Sequence, residues 1–444
     1  MKRLSLLAGF SLLLGGAFCP AAEHGLKDGD KVAIIGDSIT EQKQYSVFME
    51  EYLLACKPVQ GIHTMQFVWG GEQASGFKAR MENDCFRFHP TAATTCYGMN
   101  DGHYGPQTPE NAKVYHDNQT ATVEGMKKAG VRLIVIGSPG CVDSYTFRHD
   151  KKDSSDKLSE GAEMYNKTLG SERDIAKQVA EEQGVIFADV FDPMVEVMTK
   201  AKAKYGNKYA VAGGDGVHPG ANGHLVMAYA FLKALGCDGN IGKITVDMAG
   251  GKAEATDGHK ILSSSNGSVE IESTRYPFCF LAGKTAKLED SNNPRGVLPF
   301  FPFNQDLNRL TLVVTGAGSA KVKVTWGTES KEFDAAELAK GINLAAEFLD
   351  NPFVEPFKKV DAAVRAQQNF ETPMIKQTVH SIAFPPRAAK PKPGAPAPAA
   401  PPVLNAEQKE KVVEEATAKD TELSQESVKA VEPVKHTIKI EVVK

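Results

Sequence analysis

The sequence predicts an α/β fold with a parallel sheet, followed by a β-rich second domain that carries helices and ends in a disordered C-terminal tail. Three observations predict it. From Lys31 to Gly236 short apolar runs alternate with longer amphipathic stretches, the texture of strand and helix in alternation. After Gly236 the apolar residues recur at period two between Gly, Ser, Asn and Asp, as in strands with one face exposed. From Pro385 to Pro402 the chain is rich in Pro, Ala and Lys, a composition that forms extended linker and buries no core. At 444 residues the chain also exceeds what one hydrophobic core organises.

The N-terminus sets Lys2 and Arg3 before an apolar run from Leu4 to Phe18 and the small residues Pro20, Ala21 and Ala22. This order reads as a secretory signal peptide over 1–22, cut near Ala22 to give an exported, periplasmic or secreted protein. Cys19 raises lipid anchoring as a weaker reading, because Phe18 is bulky where a lipobox needs a small residue. No later stretch approaches the roughly 20 apolar residues of a membrane span.

Within 23–240 the expected strands are Val32–Ile35, Met65–Val68, Ala92–Tyr97, Val131–Ile136 and Val185–Val190. Between the first two, Tyr45, Phe48, Met49, Tyr52 and Leu53 fall at the three-and-four spacing of one helical stripe. Further helices are expected over Glu72–Asn83, Glu110–Lys128, Leu158–Gln183 and Ala221–Leu235. Near-continuous apolar strands joined by helices imply a parallel sheet covered on both faces, with its chemistry at the carboxyl ends of the strands. Within 241–384, Ile244–Met248, Ser268–Glu272, Leu310–Val314 and Lys321–Thr325 read as antiparallel strands. Helical pattern returns at Ala335–Ala339 and Val354–Gln368. A linker at 385–404 precedes a charged tail at 405–444, expected to be solvated or weakly helical, although His436–Val443 alternates enough to add an edge strand.

With 51 Lys and Arg against 55 Asp and Glu, the formal net charge of −4 provides no basic field for a nucleic-acid backbone. Behind the signal segment stand Cys56, Cys85, Cys96, Cys141, Cys237 and Cys279, irregularly spaced and without a CxxC pair. Zinc is not indicated, and buried thiols and disulfides stand as equal readings.

The first strand ends in Gly36-Asp37-Ser38-Ile39-Thr40, so a serine sits at the carboxyl tip of a buried strand just before a helix. Taken alone, Ser38 reads more readily as a helix cap than as a nucleophile. A second signal is Asp215-Gly216-Val217-His218-Pro219, in a Gly-rich loop ahead of an amphipathic helix. This spacing lets the carboxylate fold back onto Nδ1 of the imidazole, leaving Nε2 to take a serine proton. A turn with a helix-initiating proline explains the rest of that motif but gives His218 no task. The second strand is followed by Trp69-Gly70-Gly71-Glu72 and the third by Gly98-Met99-Asn100-Asp101. A glycine N–H and an asparagine amide are neutral, directional donors suited to an oxyanion, though each block is also an ordinary turn.

On these four ordered blocks the sequence resembles the SGNH hydrolase family, also called GDSL-like lipases/acylhydrolases, over about Gly29 to Gly236. The resemblance implies a flavodoxin-like three-layer α/β/α sandwich and an acyl-enzyme esterase. Ser38 would be the nucleophile, His218 the general base and then acid, and Asp215 the residue that orients it. The backbone N–H groups of Ser38 and Gly71 and the side chain of Asn100 would hold the oxyanion, and no cofactor or metal is implied. Ile39-Thr40 stands where the family often has Leu-Ser, and Gly-Gly-Glu where Ser-Gly-Asp is frequent; neither removes a functional atom. The Leu310–Ala345 region is similar to the extension that follows the hydrolase domain in some exported bacterial members.

His103, His116 and Asp117 lack metal-ligand spacing and read as polar loop. Asp101 and Glu72 read as helix-start carboxylates, and His224 as a structural hydrogen-bonding group. Trp69, Tyr97 and Tyr104 read equally as core packing and as faces for a sugar ring. The substrate expected from export and the family's range is a small or glycan ester, deacetylation above all. A lipase or lysophospholipase, a retired envelope or carbohydrate-binding protein, and an acyltransferase are the alternatives. Oligomeric state is not legible.

Overall fold

The computed structural model describes residues 25–147, 158–283, 285–385 and 404–443. The expected signal peptide, Cys19 and nearly all of the Pro/Ala-rich linker lie outside the described residues. Five parallel strands, β1 (Lys31–Gly36), β2 (His63–Val68), β3 (Ala92–Cys96), β4 (Leu133–Gly137) and β5 (Ile186–Ala188), form one sheet in the order β2-β1-β3-β4-β5. The pleat sends successive side chains to opposite faces. Val32 and Ile34 join Tyr45, Val226 and Phe231 in one apolar core. Ala33 and Ile35 join Phe77, Val123 and Val179 in another. Helices therefore cover both faces, and the strand order is that of the expected flavodoxin-like sandwich.

The helices after these strands run over Tyr45–Glu51, Ala74–Asp84, Pro109–Lys128, Glu160–Gln183 and Ala221–Ala234. A further helix, Phe191–Tyr205, was not expected. The apolar run Val185–Val190 hides its start: the strand ends at Ala188, and Pro193 sits in the first helical turn, where its missing N–H costs nothing.

The second region holds two sheets. Strands β6 (Asn240–Asp247), β7 (Lys252–Ala255), β8 (His259–Ser265), β9 (Ser268–Ser273), β10 (Arg309–Thr315), β11 (Lys321–Trp326), β12 (Glu329–Asp334), β13 (Ile342–Asn343) and β14 (Val434–Val442) pair as β13-β10-β6-β7 and β12-β11-β14-β9-β8. The expectation of antiparallel strands fails at one pair, since β10 runs parallel to β6. Period-two alternation encodes which face is buried, not chain direction, and the long excursion from Asp247 to Arg309 permits the crossover.

The expected disordered tail is also corrected. Ala406–Lys429 is a helix opened by a reciprocal capping box between Asn405 and Gln408. Strand β14 lies in the middle of its sheet, between β11 and β9, and not at an edge. Its alternating Val434, His436, Ile438 and Ile440 are buried, so hydrogen bonds on both sides and apolar burial offset the entropy of ordering it.

The helix Val354–Pro373 packs on β2 and on the helix Tyr45–Glu51. Its contacts there are polar and buried: Gln368 accepts from Ser46 at 2.8 Å and donates to Glu50 at 2.7 Å, and Glu371 accepts from the Gln66 N–H at 2.8 Å. Cys56, Cys85, Cys96, Cys141, Cys237 and Cys279 are all buried free thiols. Among the described residues no helix is long and apolar enough to cross a membrane.

Candidate active site

Strand β1 ends at Gly36, and the chain turns into the short helix Ser38–Glu41, whose N-cap is Asp37: its carboxylate accepts from the Ile39 N–H at 2.9 Å. Ser38 thus stands at the carboxyl edge of the sheet. The loop before the helix Ala221–Ala234 brings His218 to it, with Ser38 Oγ 2.9 Å from His218 Nε2. His218 Nδ1 lies 2.8 Å from Asp215 Oδ2. The other Asp215 oxygen accepts from the backbone N–H groups of Val217 and His218 at 3.0 and 2.9 Å. With its carboxylate anchored on backbone, Asp215 is a fixed acceptor, so the imidazole carries its proton on Nδ1 and presents a bare Nε2 to the serine. Gly216, at φ +79°, passes so close to Phe147 that an added Cβ would lie 2.4 Å from its Cα. Only glycine lets this loop close against that neighbour.

The electrostatics agree with this tautomer. The Asp215 contact raises the His218 pKa above 6.5, with burial opposing. Burial also opposes ionisation of Asp215, but the His218 ring and the two backbone donors overcome it and hold the carboxyl well below the usual range.

Asn100 follows β3 and faces Asp37. Its Nδ2 donates to Asp37 Oδ2 at 3.2 Å and to the Glu72 carbonyl at 3.1 Å, while Oδ1 accepts from the Tyr104 hydroxyl at 3.4 Å. Both amide protons therefore have internal acceptors, and an oxyanion would share them. Burial pushes the Asp37 carboxyl up to about 7, with the Ile39 N–H opposing and the Asp101 charge adding. Gly71 is exposed at the turn after β2, next to the Glu72 carbonyl that receives Asn100. The structure thus links Ser38, His218 and Asp215 directly, joins Asn100 to them through Asp37, and sets Gly71 beside Asn100.

Two contributors, Asp37 and Arg80, escaped sequence reasoning. Asp37 stood as part of a motif without a task. Arg80 grips Glu72 through two bonds of 2.7 Å and also donates to the Phe67 carbonyl of β2 at 3.1 Å. Tyr97, fully buried, completes the Glu72 carboxylate at 2.7 Å, which makes it packing and not a sugar face. A lone arginine among Phe77, Met81 and other buried residues of one helix was the available signal. Tyr104, read from the sequence equally as packing or as a sugar face, is half-buried at Asn100.

Asp101 caps the turn beside these donors, accepting from the Gly98 and Ala74 N–H groups at 3.1 and 3.0 Å. His224 is buried and receives the Tyr45 N–H on Nδ1 at 3.3 Å while Nε2 meets Gln42 at 2.7 Å. His116 pairs with Glu182 at 2.9 Å, and His103 is exposed near Gln73. Among the described residues no group of three His, Cys, Asp or Glu side chains is disposed to hold a metal ion.

Residues 34–226 match the GDSL-like Lipase/Acylhydrolase family. The chain is 26% identical over 228 residues to an acetylxylan esterase of Geobacillus stearothermophilus, a match covering 47% of this chain and 94% of that one. Among solved structures, BT4096, a gut microbial diltiazem-metabolizing enzyme, is 20% identical with a TM-score of 0.68 over 95% of this chain and 99% of its own. The G. stearothermophilus acetylxylan esterase Axe2 is 23% identical with a TM-score of 0.38, over 48% of this chain and 96% of its own. The likeness to BT4096 extends the shared fold across the second region. The hydrolase region of this chain belongs to the GDSL-like lipase/acylhydrolase (SGNH) family, and the protein is a serine hydrolase acting on esters.

Proposed function

We propose that Ser38 is the nucleophile of this esterase and that it removes acetyl or another short acyl group from a carbohydrate. The observation that carries the reading is the unbroken chain from Ser38 Oγ through His218 to Asp215, with contacts of 2.9 and 2.8 Å. His218 takes the serine proton as Oγ attacks the ester carbonyl and returns it to the leaving alcohol. Water then repeats the sequence on the acyl-enzyme. The N–H groups of Ser38 and Gly71 and the Asn100 amide receive the oxyanion. The carbohydrate acetyl ester is supported by the acetylxylan esterase relative, and an exported setting by the charged, apolar and small residues in order over 1–22.

A fluorophosphonate probe followed by mass spectrometry tests the nucleophile: the adduct is expected on Ser38. Ser38→Ala should lose several orders of magnitude in kcat with an unchanged melting temperature. Rates on p-nitrophenyl acetate, octanoate and decanoate test the acyl group, and a preference for the longer chains defeats the acetyl reading.

A further inference from the structure

The loop after Asn100 is bent in a way its sequence does not favour. His103 and Tyr104 are consecutive non-glycine residues in the left-handed region, at φ +51° and +55°. Side chains there meet their own backbone, so such a pair persists only when its surroundings over-determine it. The surroundings come from the helix Glu160–Gln183. Tyr165 donates to the Met99 carbonyl, and Thr168 to the Gly105 carbonyl at 2.8 Å. Gly102 lies so close that an added Cβ would stand 2.8 Å from the Tyr165 hydroxyl. The strained turn stacks the Tyr104 ring on Tyr165, with centroids 5.0 Å apart at 25°. The hydroxyl is thereby delivered to Asn100 Oδ1. Burial, then the charges of Asp37 and Asp215, push the phenol up to about 12, so it remains a neutral donor to Asn100 Oδ1 at 3.4 Å.

We infer that Tyr104 is a positioning residue that orients and polarises the Asn100 carboxamide, strengthening its N–H groups as oxyanion donors. This rests on the role proposed for Asn100 above. A bond received at Oδ1 draws electron density away from Nδ2, and linked hydrogen bonds strengthen one another by roughly 10–30% per bond. Loss of one oxyanion donor costs on the order of 10²–10³ in kcat. Applied to the free energy behind that loss, the same fraction predicts a fall of roughly two- to eightfold when the hydroxyl is removed.

Tyr104→Phe keeps the stacked ring and removes only the oxygen. It should lower kcat on p-nitrophenyl acetate within that range at unchanged KM and melting temperature. In an Asn100→Ala background the same substitution should have no further effect. An unchanged kcat in Tyr104→Phe, or an equal loss in both backgrounds, overturns the inference. 3-Fluorotyrosine at position 104 preserves the contacts and sharpens the O–H dipole, so kcat should rise; an unchanged or lower kcat there overturns it as well. If Asn100→Ala itself keeps full kcat, the oxyanion assignment fails, a result distinct from failure at Tyr104 alone.

Discussion

Replacing Arg80 by methionine would strand a buried carboxylate beneath the active site. Arg80 and Glu72 have side chains only 3% and 6% exposed, so water cannot take over the lost bonds. The guanidinium makes both 2.7 Å contacts to Glu72 and the 3.1 Å contact to the Phe67 carbonyl, and its removal leaves Glu72 only the Tyr97 hydroxyl. Breaking one side of a buried pair costs roughly 3–5 kcal/mol, because the remaining charge is uncompensated. At about 2–4 °C per kcal/mol for a unit of this size, the melting transition of the hydrolase region should fall by roughly 6–20 °C. Calorimetry on Arg80→Met, Glu72→Met and the double variant reads this directly. The double variant should recover at least half of the loss, since it removes the Glu72 charge, while buried Asp84, 3.5 Å from Arg80, keeps its contact with His380 at 2.8 Å. Activity should fall along with stability, as the Glu72 carbonyl is one of the acceptors that aim Asn100. A transition lowered by under about 1 kcal/mol, or a double variant no better than Arg80→Met, would refute the claim that this pair is held as a desolvated unit.

Asp215→Asn should cut kcat by less than Ser38→Ala does and shift the acid limb of the pH profile. Because Asp215 raises the His218 pKa above 6.5, activity should be lost as pH falls through that raised value, and the limb should move to lower pH in the variant; an unmoved limb in kcat/KM separates the two residues. Ile438→Ala, at a fully buried position of β14, should cost roughly 2–5 kcal/mol in the second region's unfolding by calorimetry, whereas an exposed tail would tolerate it within about 0.5 kcal/mol.

Much of this architecture was readable because the signals were local. The five strands of the first sheet are short apolar runs, and their burial on both faces is what makes the runs continuous. Ser38 and Asn100 were legible because each sits in a turn motif at a strand's carboxyl end, and His218 because its Gly-rich loop opens the helix Ala221–Ala234. Arg80 was not, nor was the contact of Tyr104 with Asn100, since these tasks are defined by partners brought close only in the fold. Val434, His436, Ile438 and Ile440 are interrupted by Lys435, Thr437 and Lys439, so β14 looked like an edge strand, though its neighbours bury one face and bond both edges. The parallel pairing of β10 with β6 left no trace because residue alternation carries no arrow.

The central place of β14 has a bearing on biogenesis. Trp326 meets His436 across 110 positions of chain, and Ser273 meets it across 163. A nascent polypeptide can seal its N-terminal sheet early, but the halves on either side of the gap must wait for residues made 110 positions after Trp326. Until then β9 and β11 each expose an unpaired edge, open to wrong partners, and the high contact order makes closure slow. A molecular chaperone would guard that interval.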